Sequence, residues 1–177
     1  RPITERLLLA ELFIRATALA ARAFPQMNGF WRDGRFEPST DVHVGVAIAL
    51  RQGGLIAPAL HDCDSRGLDD LMRGLADLVR RARAFTLRSS EFSDPTITVT
   101  NLGDGGADLV HGVIYPPQVA ILGFGGIRER PWIVDGVIRA QPMVTATLAA
   151  DHRVTDGHTG ALFLADLSRL LQTPENL

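Results

Sequence analysis

A chain of 177 residues is long enough for one domain with a substantial buried core. Its hydrophobic fraction of 46% and charged fraction of 21% are those of an ordinary globular protein, and no apolar run of about 18 residues is present to span a membrane. Eighteen basic residues against twenty acidic ones leave a net charge of -2, which argues against a general nucleic-acid binder but leaves room for a small anion held by local arginines.

Residues 4–24 read as an amphipathic helix with Leu9, Leu12, Phe13, Ala16 and Leu19 on one face and Pro25 beyond its end. Charges inside it (Glu11, Arg15) set it apart from a secretory signal peptide. With no initiator Met, the sequence reads as part of a longer polypeptide. A polar loop containing Asn28-Gly29 and Asp33-Gly34 is expected next. Residues 42–50 alternate, with Val42, Val44, Val46, Ile48 and Leu50 facing one way. The small residues Gly45, Ala47 and Ala49 on the other face imply a close neighbour. Gly53-Gly54 turns the chain into a short strand over 55–60. A second amphipathic helix is predicted at 66–86, its charged face (Arg73, Asp77, Arg80, Arg81, Arg83) mostly solvated.

The second half is rich in strands. Residues 96–100 alternate, with Ile97 and Val99 opposite the three threonines, and the segment from Asn101 to Gly106 ends the strand. Residues 118–124 are apolar on both faces, as a central strand requires. Two β-rich segments around Asp135-Gly136, within 131–150, predict a hairpin. A helix at 157–172 carries Phe163, Leu164, Leu167, Leu170 and Leu171 as its buried stripe. This order predicts an α/β (α+β) two-layer fold, a mixed sheet with helices on one face. The cluster Gly123, Gly125 and Gly126 follows no mononucleotide-binding pattern and reads as a strand bulge. No Gly-x-Ser-x-Gly is present.

The single cysteine, Cys63, excludes an internal disulfide and points to a reducing compartment. Asp62 and Asp64 flank it and raise a thiol pKa, so a nucleophilic role is not expected. The stretch most suited to chemistry is 151–157, DHRVTDG, where a strand gives way to a helix. His-x-x-x-Asp alone supports two readings: a catalytic His152, or an ordinary junction in which Asp156 caps the helix. His152, Asp156 and His158 also make a conceivable ligand triplet. It straddles a strand–helix junction without further Cys or His nearby, so no metal is expected. His43, His61 and His111 are scattered in sequence and read as surface or core residues.

DHRVTDG followed by an apolar helix closely resembles the closing motif of the acyltransferase core of 2-oxo acid dehydrogenase complexes, which is similar to chloramphenicol acetyltransferase. TVTNLG at 98–103 resembles that family's Ser/Thr-Asn-Leu-Gly segment, and YPPQVAILGFG at 115–125 its Pro-x-Gln-x-Ala-Ile-Leu strand. VDG at 134–136 resembles its hairpin, and VGVAIA with GGLIAPAL its paired strands nearer the start. These matches fall in order along almost the whole chain. The family's core is longer at the N-terminus, so the leading helix and strand are expected to be absent here, and no lipoyl or peripheral-subunit-binding segment is present.

The resemblance implies a chloramphenicol acetyltransferase-like fold and a dihydrolipoamide acyltransferase of the branched-chain or pyruvate type. Its substrates would be coenzyme A and a lipoyl group carried on a domain outside this chain, with no metal. A free thiol, with a pKa near 8.5, needs a base at neutral pH, and an imidazole with a pKa near 6.5 serves. The resemblance makes His152 that general base and the Thr100 hydroxyl the donor to the oxyanion; without it, Thr100 is an ordinary strand threonine. Asp156 is expected to hold the local structure, paired with an arginine such as Arg153, and Asp151 to be structural. Arg51 and Arg128 are candidates for the phosphates of coenzyme A. The resemblance further implies a homotrimer, with the histidine from one subunit meeting the hydroxyl of its neighbour. Trimers would assemble into a hollow cubic (24-mer) or dodecahedral (60-mer) core served by a lipoyl domain, a decarboxylase and a dihydrolipoamide dehydrogenase. The place would be the bacterial cytoplasm or the mitochondrial matrix. A same-fold acyltransferase acting on an alcohol and a non-catalytic assembly scaffold remain alternatives. Acetyl, succinyl and branched-chain cores share these motifs, which therefore do not identify the acyl group.

Overall fold

Alanines shape the first element. Helix α1, Ile3–Ala23, buries Ala16, Ala18, Ala20 and Ala21, so neighbours approach it closely on several sides. It packs against two later helices, α2 (Leu68–Arg83) and α4 (Gly157–Gln172), and against strand β7 (Ile97–Asn101). The computed structural model describes residues 3–50, 52–103 and 105–177, with side chains from residue 8 onward. Among these residues no helix is long and apolar enough to cross a membrane.

The sheet beneath the helices has five strands. β3 (Val44–Val46), β6 (Ala59–Leu60), β7, β8 (Ala120–Phe124) and β11 (Ala146–Ala150) lie in the order β11-β8-β7-β3-β6. The three central strands β8, β7 and β3 are parallel, and the two outer ones run antiparallel to their neighbours. One face carries Val44, Ile97, Val99, Leu122 and Phe124 into the core with Ile14, Leu71, Leu75, Phe163 and Leu167. Phe13 stacks on Phe124 at 4.3 Å between ring centroids. The mixed sheet with helices on one face is the expected architecture.

The other face is covered by chain rather than by helices. The segment 107–116 crosses it so closely that a Cβ on Gly125 would lie 2.0 Å from the Asp108 carbonyl oxygen, and one on Gly123 would lie 2.6 Å from that of Val110. These glycines are therefore needed for the crossing. Gly123 shows no bulge, since β8 keeps unbroken register with β11 from Ala120 to Phe124, and Gly125 and Gly126 lie beyond the end of the strand. Thr96 and Thr98 on this face are buried as deeply as Ile97 and Val99.

Four further details depart from the sequence reading. The polar loop is a hairpin, β1 (Gly29–Arg32) with β2 (Arg35–Pro38), turned by Asp33 and Gly34 at φ 50 and 76. The single strand expected at 42–50 is two: the Ala47 N–H, donating to the Val99 carbonyl, makes the last bond of the β3–β7 ladder. β4 (Ile48–Ala49) then swings away to pair with β5 (Leu55–Ile56). A short helix α3, Ser89–Ser93, follows α2, and its buried Glu91 takes both ends of the Arg81 guanidinium, so Arg81 is no solvated charge. The hairpin is made by β9 (Arg128–Val134) and β10 (Val137–Met143) as a separate ribbon, while β11 leaves it to join the main sheet.

Candidate active site

His152 is exposed in the turn between β11 and α4. The turn is held from three sides. The Asp151 N–H donates to the Val119 carbonyl at 2.8 Å, and the N–H groups of Val154 and Thr155 donate back to the Asp151 carbonyl. The Asp151 carboxylate accepts from the Arg153 Nε at 3.0 Å and Nη2 at 2.6 Å, which holds it below the usual carboxylate range. Arg153 in turn lies over Trp31 of the first hairpin, 4.4 Å from guanidinium carbon to ring centroid.

Asp156 accepts from the Thr159 N–H at 2.8 Å and is the N-cap of α4. That bond is the first cause of its lowered pKa. The partner expected for Asp156 was Arg153; the structure gives Arg153 to Asp151, two residues away, which its short reach favours. A cleft of about 340 Å³ lies beside His152, between Leu148, Ala150, Gly160 and Leu164.

Thr100 lies elsewhere. Its register neighbours are Gly123 on β8 and, beyond it, Thr147 on β11, and with Thr98 it faces away from the helices into a second cleft of about 500 Å³. Thr98 donates to the Gln118 Oε1 at 2.7 Å, whereas the Thr100 hydroxyl has no hydrogen-bond partner among the described residues. Leu148 and Ala150, which line the His152 cleft, pack toward the helices. The two clefts thus open on opposite faces of the sheet and share no lining residue. Thr147, in the row of Thr100, lies two strands away and three residues before the end of β11. At about 3.3 Å per residue and 4.8 Å per strand, the end of β11 that leads into the His152 turn lies about 14 Å from the Thr100 backbone, beyond hydrogen-bond reach within one chain.

The other candidates stand apart from both clefts. Arg128 is half-exposed on β9, 3.9 Å from Asp108, and lines neither cleft; Arg51 lies outside the described residues. Among the described residues no three His, Cys, Asp or Glu side chains converge as a metal site would require, so His152, Asp156 and His158 do not form a ligand set. His43 and His61, read as scattered, are brought together with ring centroids 4.8 Å apart, and the His61 Nε2 lies 2.9 Å from Asp94. Burial pushes the Cys63 thiol up to about 12, a larger effect than that of the flanking acids. No spacing in the sequence pointed to Trp31, because its link to the His152 turn spans more than a hundred residues.

The family described as 2-oxoacid dehydrogenases acyltransferase (catalytic domain) matches residues 2–177. The chain is 33% identical over 164 residues to the dihydrolipoyllysine-residue acetyltransferase component of the pyruvate dehydrogenase complex of Zymomonas mobilis, covering 93% of this chain and 37% of that protein. It is 32% identical over 174 residues to the succinyltransferase component of the 2-oxoglutarate dehydrogenase complex of Rickettsia typhi, covering 98% and 44%. The chain therefore spans less than half the length of these relatives. A probable dihydrolipoamide acetyltransferase from Listeria monocytogenes superposes with a TM-score of 0.88 at 30% identity, covering 93% of this chain and 70% of that one. The cubic core of a pyruvate dehydrogenase multienzyme complex does so at 0.86 and 28%, covering 92% and 68%. Chloramphenicol acetyltransferase shares the fold, with a TM-score of 0.55 at 16% identity over 92% of this chain and 77% of that one.

Proposed function

Because the chain belongs to the family of 2-oxoacid dehydrogenase acyltransferase catalytic domains, we propose that it transfers an acyl group between dihydrolipoamide and coenzyme A. His152 is the general base and the Thr100 hydroxyl the oxyanion donor. The thiol of coenzyme A gives its proton to the His152 imidazole as its sulfur attacks the thioester carbonyl carbon of S-acyl-dihydrolipoamide. The carbonyl electron pair moves to oxygen, which accepts a hydrogen bond from Thr100. When the carbonyl re-forms, the dihydrolipoamide sulfur leaves with the bond pair and takes the proton from the imidazolium. Asp156 keeps the start of α4, and with it the turn bearing His152, in place through its bond to Thr159.

The observation that carries this reading is the division of one site between two clefts. Thr100 has a hydroxyl free of partners among the described residues, and His152 is exposed, on opposite faces of one sheet. Neither cleft holds both groups, so the reaction needs the His152 cleft of one copy against the Thr100 cleft of another. Two features favour such an assembly. β11, which ends two residues before His152, is an edge strand of the main sheet, and the β9–β10 ribbon exposes Trp132, Ile133, Val137 and Ile138. In a closed ring such as a homotrimer each subunit supplies both halves, and trimers would build a larger core. The acyl group would arrive on a lipoyl domain outside this chain, loaded by a decarboxylase and later reoxidised by a dihydrolipoamide dehydrogenase.

Mixing two inactive variants tests the reading. His152→Ala is expected to lower kcat by about 10²–10⁴-fold and Thr100→Ala by about 10²-fold. Dissociated and reassembled together in equal amounts, they should recover about a quarter of wild-type activity, the statistical share of interfaces that keep both groups. Full activity in His152→Ala would overturn the mechanism. Mixtures no more active than their parents would overturn the division between subunits.

A further inference from the structure

The cleft behind Thr100 is about 500 Å³ in volume, and no charged side chain lines it among the described residues. Its walls are Ala47, Leu55, Ala57, Val110, Ile114 and Ile121. Of its polar groups, the Thr98 hydroxyl is already committed to Gln118, which leaves Thr100 and Tyr115. Small residues set its width: Ala47 and Ala57 on one side, and on the other Gly112, whose missing Cβ would lie 2.9 Å from the Ile121 side chain.

A thioester whose carbonyl oxygen reaches Thr100 places its acyl chain among these walls. A chain ending in a carboxylate would lose its water there without gaining a cation from these walls, which disfavours it. Acetyl would leave most of the apolar surface uncovered, whereas each further methylene that meets the wall adds affinity. We infer that this cleft selects an uncharged apolar acyl group of about four to six carbons, branched or straight, over acetyl and over dicarboxylic acyl groups. The inference rests on the acyl-transfer reading above and names the substrate class of that same site.

Initial rates in the assembled protein, with dihydrolipoamide and a panel of acyl-coenzyme A donors, test it. The kcat/KM for 3-methylbutanoyl-coenzyme A is expected to exceed that for acetyl-coenzyme A by about tenfold and that for succinyl-coenzyme A by at least about a hundredfold. Ala57→Leu, and independently Ala47→Leu, should fill the cleft and shift the ratio of branched to acetyl donor toward acetyl by about tenfold. Ala57→Arg should raise the succinyl donor relative to the branched one. Wild type that prefers acetyl or succinyl would overturn the inference and leave the reaction standing. Absence of transfer with every donor would overturn the reaction itself, and the inference with it. Unchanged donor ratios in folded Ala57→Leu and Ala47→Leu would show that another surface selects the acyl group.

Discussion

The guanidinium of Arg153 is shared between Trp31, whose ring lies 4.4 Å beneath it, and Asp151, whose carboxylate it grips through two nitrogens. The first hairpin therefore braces the turn that presents His152, although its residues touch neither cleft. A misplaced base loses rate rather than substrate affinity. Trp31→Ala is expected to lower kcat by about fivefold with little change in KM, and Trp31→Phe to restore most of it, since a phenyl ring still offers a face to the cation. Equal losses in both variants, or a change confined to KM, would refute the bracing role.

Gly125 makes a more severe prediction. A methyl group there would sit 2.0 Å from the Asp108 carbonyl oxygen, and backbone cannot yield as a side-chain tip does. The segment it would displace carries Val110 and Gly112, which roof the Thr100 cleft. Gly125→Ala should therefore lower the melting temperature and depress transfer together. Gly136→Ala provides the contrast: its Cβ meets nothing within 4 Å, so the cost comes only from its φ of 77. A melting temperature for Gly125→Ala at or above that of Gly136→Ala would contradict the crossing.

Elements with a strong period and a physical stop were legible in the sequence; those defined by a distant partner were not. Helix α4 begins at Gly157 and ends at Gln172 as expected, because Asp156 caps it and Pro174 follows. The β1–β2 hairpin was missed although Asp33-Gly34 is a strong turn pair, because its four-residue strands form a separate ribbon with no alternating burial to show a period. The break after Ala47 shows only in the partners, since β3 pairs with β7 whereas β4 pairs with β5. For the site, ordered motifs singled out His152 and Thr100. That they face opposite ways follows from register across three strands, and that Arg153 takes Asp151 follows from the shape of the turn. Neither is encoded in spacing.

Glu91 links α3 to α2 and makes an acid limb. Its buried carboxylate is held below the ordinary glutamate pKa, first by hydrogen bonds from Arg81 and then by the Arg88 N–H. A depressed carboxylate stabilises the fold fully above its unfolded pKa, about 4.3, and that contribution is lost as pH falls through the folded value. Glu91→Ala leaves the half-buried Arg81 with Asp77 alone, and should cost about 2–3 kcal/mol near neutral pH, less than for a fully dry pair. The difference in stability between wild type and Glu91→Ala, from urea melts, should shrink steadily below about pH 4. A constant difference from pH 7 to pH 3 would rule out the charge as its source.

Cys63 gives the opposite limb. It is fully buried, its Sγ donates to the Leu60 carbonyl at 3.0 Å, and burial pushes its pKa up to about 12. An unfolded cysteine loses its proton near pH 8.5, so between there and about 12 only the unfolded chain gains by ionising. Stability is thus fully present below about pH 8.5 and falls as pH rises, by at most about 1.4 kcal/mol per unit from this group. Cys63→Ala removes the proton and should flatten that part of the alkaline limb, at the cost of a small cavity felt equally at every pH. The same burial keeps the thiolate fraction negligible, so an aromatic disulfide reagent at pH 8 should react with folded protein only as fast as it opens, and stoichiometrically in denaturant. Rapid labelling of the native protein at pH 8, with the fold intact, would show that the thiol is neither buried nor raised in pKa.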